Sequence, residues 1–208
     1  MKRFTVVFGA VLIVLAAAGL VLAQAKPQDK SMADQQKAMQ EAVMKAGAVN
    51  ENHALLKPLI GKWKSAIKTW ESPTGMPQTS EGSSTAMSLY DGRFVMEDLK
   101  STMMGMPFQG MSVTGYDNLQ KKFCIFWIDN SSTAFFLFMG TYDPMKKAFT
   151  YTSKWTMPMG QVWDVRMVIR VVSNDEHVQE MHVTMPGMKE YKTMEITYTR
   201  AKGTMGGD

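Results

Sequence analysis

The segment Val162-Trp163-Asp164-Val165-Arg166-Met167-Val168-Ile169-Arg170-Val171-Val172 decides the fold. Trp163, Val165, Met167, Ile169 and Val171 share one parity, and Asp164, Arg166, Val168 and Arg170 share the other. A period of two sends these sets to opposite faces of a β-strand, whereas a helix would mix them on every face. One apolar and one charged face is the pattern of an antiparallel sheet with a wet side.

Working outward, Pro158-Met159-Gly160 precedes this strand and Ser173-Asn174-Asp175 follows it. The same punctuation recurs at Asp91-Gly92, Asp117-Asn118, Asp143-Pro144 and Pro186-Gly187. Gly and Asn tolerate positive φ and Pro presets a turn, so each of these reverses the chain. Between them lie candidate strands at 62–71, 78–90, 93–102, 108–116, 122–129, 134–142, 147–155, 161–172, 177–185 and 191–200. Short strands at near-regular spacing read as a meander, and a meander removes its open edges by closing. The expectation is an all-β, antiparallel barrel of about ten strands over 51–201. Phe123–Asp129 departs from clean alternation: Phe123, Ile125 and Trp127 oppose Cys124, Phe126 and Ile128. Such a strand needs a cover on its outer side, for which a helix at 52–59 or a leader helix is available.

Ahead of the barrel, Met1-Lys2-Arg3 leads into an apolar run that ends at Ala23-Gln24-Ala25. A basic head, an apolar core and an Ala-x-Ala exit are the parts of a secretory signal peptide, here 1–25, with an uncleaved anchor as the alternative. The mature protein is thus expected to be periplasmic or secreted, with no stable membrane insertion after cleavage. Residues 26–50 form a polar leader, where Met32, Gln36, Met39, Val43 and Ala46 make a narrow helical stripe. Ser31 is placed to cap this helix and Gly47 to end it. Leu55, Leu56 and Leu59 share a face of a second short helix at 52–59, and 202–208 is a Gly-Met tail.

At 208 residues the chain holds one ordinary domain plus extensions. With 45% hydrophobic and 20% charged residues it is neither disordered nor a multi-span membrane protein. Of the 23 basic residues, the loss of Lys2 and Arg3 leaves 21 against 19 acidic ones, too even a balance to imply nucleic-acid binding. One cysteine excludes an internal disulfide and any two-cysteine metal site. The 21 methionines are the compositional anomaly.

Gly61-Lys62-Trp63, after a short helix, resembles the Gly-x-Trp signature of lipocalin-like barrels. Arg200, ending Tyr198-Thr199-Arg200, matches the basic residue that stacks on that tryptophan in such barrels. The segments His53-Ala54-Leu55-Leu56, Gly61-Lys62-Trp63, Gly92-Arg93-Phe94, Pro107-Phe108-Gln109-Gly110, Gly115-Tyr116-Asp117 and Trp127-Ile128-Asp129 together resemble the family named domain of unknown function 1579. The resemblance implies a lipocalin-like fold with Gly61, Trp63 and Arg200 closing the barrel, and it implies no particular chemistry.

A barrel of this size is either filled by side chains or holds one small ligand. The leading expectation is a small apolar molecule in the lumen, with Phe94, Met96, Phe136, Phe138, Trp163 and Met167 as wall candidates. Met104, Met106, Met157 and Met159 would form its mouth, because methionine lines adaptable apolar surfaces. A second reading gathers Met103, Met104, Met106, Met157, Met159, Met185 and Met188 on one rim as thioether donors to Cu(I), a soft ion suited to soft ligands. A third is a structural module with a filled interior. Oligomeric state is left open. His177 and His182, five apart in one strand, face opposite sides and cannot chelate together; His53 is assigned a capping contact. Haem held by one inward histidine is a weaker alternative, and no cofactor is expected. Asp117 and Asp129 are read as turn residues and Cys124 as buried and inert. With no nucleophile elbow, phosphate loop or His-Glu-x-x-His, an enzyme is not expected.

Overall fold

The ten strands pair in chain order and the tenth returns to the first, closing an antiparallel barrel. This is a computed structural model, and it describes residues 31–202. The expected signal segment 1–25 and the tail beyond residue 202 lie outside the described residues. The described residues fall into two units, divided between Ala42 and Val43. A helix, α1 (Met32–Ala46), buries none of its residues, and the Ser31 hydroxyl accepts the Asp34 amide at its start. Among the described residues no helix is long and apolar enough to cross a membrane.

The second unit carries α2 (Glu51–Ala54), a 3₁₀ turn (Lys57–Leu59) and the strands. These are β1 (Gly61–Thr69), β2 (Gln78–Leu89), β3 (Phe94–Met103), β4 (Met106–Asp117) and β5 (Lys122–Asp129), then β6 (Phe136–Asp143), β7 (Ala148–Thr156), β8 (Val162–Ser173), β9 (Glu176–Thr184) and β10 (Tyr191–Arg200). The expected helix at 52–59 is thus broken in two, because Pro58 cannot donate to a continuing helix. In a meander the hairpins alternate between ends. Those after odd-numbered strands share one rim, called the upper; the rest share the lower rim with Gly61 and Arg200.

The lower end is sealed. Leu56 and Leu59 join Phe123, Phe138, Phe149 and Tyr151 in one buried cluster, so the segment before β1 enters the barrel. This corrects the expectation that residues 52–59 cover the outside. The entry is fixed by a capping box: Asn50 Oδ1 accepts the Asn52 amide, and His53 Nδ1 accepts the Asn50 amide at 3.1 Å. His53 is therefore structural, as its position suggested.

Closure follows from three residues. Trp63 is opposite Arg200 on β10 and Ser84 on β2. The Arg200 guanidinium lies 4.2 Å from the Trp63 ring, and Nη1 donates to the Ile60 carbonyl at 3.1 Å. Trp63 Nε1 donates to the Leu59 carbonyl at 2.9 Å. Gly61, at φ +146°, has no room for a Cβ, because Arg200 Nη1 occupies that space. The Gly-x-Trp pattern is thus a steric requirement of the stacked arginine.

An apolar row crosses the outer surface of β2–β6. Met87 pairs with Met96, Met96 with Val113, Val113 with Phe126, and Phe126 with Leu137, which makes an in-register row across five strands. Leu137 is 64% exposed. Phe126 stacks on Phe135, and Cys124 belongs to this outer face rather than to the core expected of it. Burial, with a smaller push from Asp117, still raises the Cys124 thiol above its ordinary value.

Candidate functional site

Above the sealed end the lumen opens into a cavity of about 310 Å³. Its wall follows from strand register, since every inward residue is fixed by its neighbour's parity. Glu97 lies opposite Ala86 and Ser112; Ser112 lies opposite Trp127, and Trp127 opposite Phe136. From the other side come Trp155, Met167, Met181, Gln179, His177 and Tyr198. The cavity reaches the upper rim at Met103, Asp129, Ser131 and Ser132. Gly110 leaves one stretch of wall flat, and the Trp127 ring lies where a side chain would be.

Of the expected wall residues, Phe136, Phe138 and Met167 border the cavity. Trp163 is opposite Trp155 and so shares its face, but stands outside the wall. Phe94 and Met96 face outward, a correction with a clear cause. Val95 and Leu99 take the buried parity of β3, and Phe94 and Met96 pair with Gly115 and Val113 on the other side. Met104, Met106, Met157 and Met159 sit at the upper rim outside the wall, and Met159 is 86% exposed. The three methionine-rich turns do share that rim, as the meander requires. Met103, considered above only as a copper ligand, lines the cavity, as do Met181 and Met194.

The sequence reading missed Glu97, Trp127, Trp155 and Tyr198. Glu97-Asp98 gave a signal: adjacent acids in a strand cannot both face solvent. The inward one is Glu97, and its Oε1 is buried without a hydrogen-bond partner. Burial pushes its carboxyl above the ordinary carboxylate value, and the nearby Ser84 hydroxyl offsets part of that rise. Tyr198, fully enclosed, is raised by burial and by the negative charge of Glu97. His177 stacks on Tyr198 at 4.3 Å and meets Trp63 edge-on at 4.5 Å. Burial, then the Arg200 charge, depress its pKa to about 4, so it is neutral at pH 7. Trp155 Nε1 and His177 Nδ1 are also buried without partners.

At the mouth, burial raises the Asp129 carboxyl, but hydrogen bonds from Ser131, Trp127 and the backbone outweigh it and hold the group below its ordinary value. Trp127 Nε1 donates to Asp129 Oδ2 at 2.8 Å, and the Ser131 amide to Oδ1 at 2.9 Å. Asp117 accepts the Leu119 and Gln120 amides. Both aspartates therefore serve turns. No group of three or more His, Cys, Asp or Glu side chains among the described residues is placed to hold a metal.

A closed antiparallel meander, sealed at one end and lined by apolar and aromatic side chains, defines a lipocalin-like barrel. The chain belongs to the family described as "Protein of unknown function (DUF1579)", whose model matches residues 48–200. No curated protein matches the sequence. Among solved structures, Rv2717c from M. tuberculosis is similar at a TM-score of 0.53 and 13% identity, covering 74% of this chain and 100% of that one. The S-type phycobiliprotein lyase CPES from Guillardia theta is similar at 0.48 and 9%, covering 78% and 98%. The likeness to Rv2717c concerns the fold.

Proposed function

We propose that the protein is exported and binds one small, mainly apolar molecule in its barrel. The cavity carries this reading. At about 310 Å³ it lies at the lower end of the range for small-molecule sites, roughly 300–1,000 Å³. Its wall is mostly apolar and aromatic with a few inward polar groups, the usual division between affinity and orientation. The basic head, apolar run and Ala-x-Ala exit of residues 1–25 support export. A binding role is favoured over catalysis because Asp117 and Asp129 are committed to turns.

The test is titration with N-phenyl-1-naphthylamine, an uncharged probe that fluoresces in apolar surroundings. Binding at one site is expected in the native protein. Ser112→Trp, in mid-wall opposite Glu97 and Trp127, should abolish it while leaving the far-ultraviolet dichroism of the barrel intact. Leu137→Ser, on the outer apolar face, should leave binding unchanged. Binding that survives Ser112→Trp but not Leu137→Ser would place the probe outside and refute the reading.

The shared rim of the methionine-rich turns supports Cu(I) binding as the second reading. Tight one-to-one Cu(I) binding against a competing chelator, lost when Met104, Met106, Met157 and Met159 become leucine, would establish it. Leucine keeps the volume and apolarity of methionine, so binding of the apolar probe should persist in that variant.

A further inference from the structure

Three described residues of the cavity wall carry a buried polar atom without a partner, Glu97, Trp155 and His177, and only one of them is an acid. Glu97 is an inward carboxyl whose Oε1 is buried and has no hydrogen-bond partner. A buried polar atom left in this state costs stability, and a carboxyl costs more than a hydroxyl. Leucine or methionine at 97 would complete an apolar wall between Val95 and Leu99 without that cost. From within the protein the carboxyl is answered by one neighbouring hydroxyl, that of Ser84, and by no cation. No lysine or arginine borders the cavity among the described residues. Arg200, the cation at the lower end, is engaged by the Trp63 ring, the Asn174 and Ile60 carbonyls and the Asp175 carboxylate.

The charge balance of the lumen points the same way. Its two acids are Glu97 and Asp129, and its one histidine, His177, carries no charge at pH 7. An anionic ligand such as a fatty acid would enter against both acids with no cation to receive it. A cation would meet a carboxyl and a wall that includes the rings of Trp127, Trp155, Phe136 and Tyr198, and aromatic rings attract positive charge over their faces.

We propose that the lumen selects apolar molecules bearing one basic nitrogen, with the ammonium received by the Glu97 carboxylate and the apolar body lying against the aromatic wall. This rests on the lumen-binding reading and adds a ligand class to it. An ammonium donates hydrogen bonds to the orphaned oxygen, and a charge-assisted bond of this kind is about twice as strong as a neutral one. The buried pair remains acceptable only while both partners are present, so occupancy and Glu97 ionisation go together.

The experiment displaces bound N-phenyl-1-naphthylamine with octylamine, octan-1-ol and octanoate, which share one chain and differ only in the headgroup. In the native protein octylamine should compete about tenfold more strongly than octanol, and octanoate should be the weakest. Glu97→Gln should bring octylamine to within about threefold of octanol. Glu97→Leu serves as the second variant. It should fold at least as well, because the orphaned carboxyl is gone, and it should show the same loss of preference. An octylamine-to-octanol ratio that is unchanged in both variants, or octanoate competing as well as octylamine, would overturn the proposal while lumen binding stands. Failure of the native protein to bind the probe or any of the three competitors would overturn both.

Discussion

His177 links the interior to pH. Its ring lies between Tyr198 and Trp63, with Nδ1 buried and unpartnered, and its pKa is depressed to about 4 from an ordinary 6.5. The unfolded chain therefore binds a proton in a range where the folded protein does not, and stability rises with pH between about 4 and 6.5. The contribution is fully present above pH 6.5 and lost as the pH falls toward 4. A shift of this size corresponds to about 3 kcal/mol. Glu97, raised by burial, acts with the opposite sign above its ordinary value, since there the folded state holds the extra proton. His177→Phe keeps an aromatic ring on Tyr198 and removes the titration. Urea unfolding at pH 6.5 and at pH 4 should show a smaller loss in the variant than in the native protein; equal losses would mean that His177 takes up its proton alike in both states.

At the scale of strands and hairpins, the turn chemistry was the most legible part. Residues 162–172 alternate because one face of β8 is wet, and Gly, Asn, Asp and Pro mark nearly every reversal. The β3–β4 hairpin is less easily read. Met103 pairs with Met106, leaving Met104 and Gly105 as a two-residue loop at φ +51° and +77°. Two positive φ values in a two-residue loop suit Asn-Gly, and methionine at the first position carries a steric cost. Met104→Asn should therefore raise stability by about 0.5–1 kcal/mol, seen as a higher urea midpoint with an unchanged slope. Interior parity was the hardest feature to read. In β3, Phe94-Val95-Met96 offers large apolar residues to both faces, so only the register with β2 and β4 sets which side is inside. The same ambiguity concealed Glu97, because local patterning assigns an acid to the wet face and pairing across the barrel overrides it. Trp127 and Trp155 became wall residues by the same rule.

For the whole molecule, closure at the lower end is the decisive contact, and its three residues were readable from Gly61-Lys62-Trp63 and Arg200. Trp63 is 1% exposed, so Trp63→Ala should cost about 3–5 kcal/mol. Arg200→Ala should cost less, and the double variant should fall short of the sum, because each single change already removes the stacking. Full additivity in chemical denaturation would show the two residues to be energetically independent. The same contact sets an order in time. β1 pairs with β2 early in the chain, but its other edge waits for β10, which arrives only with residue 200. Pairings between distant parts of a chain make folding slow, on the order of milliseconds to seconds for all-β domains. A nascent chain of this sequence cannot close its barrel before β10 has been made, and until then it stays in a form that can still be threaded. Under the export proposed above, late closure would keep the polypeptide translocatable without any added device.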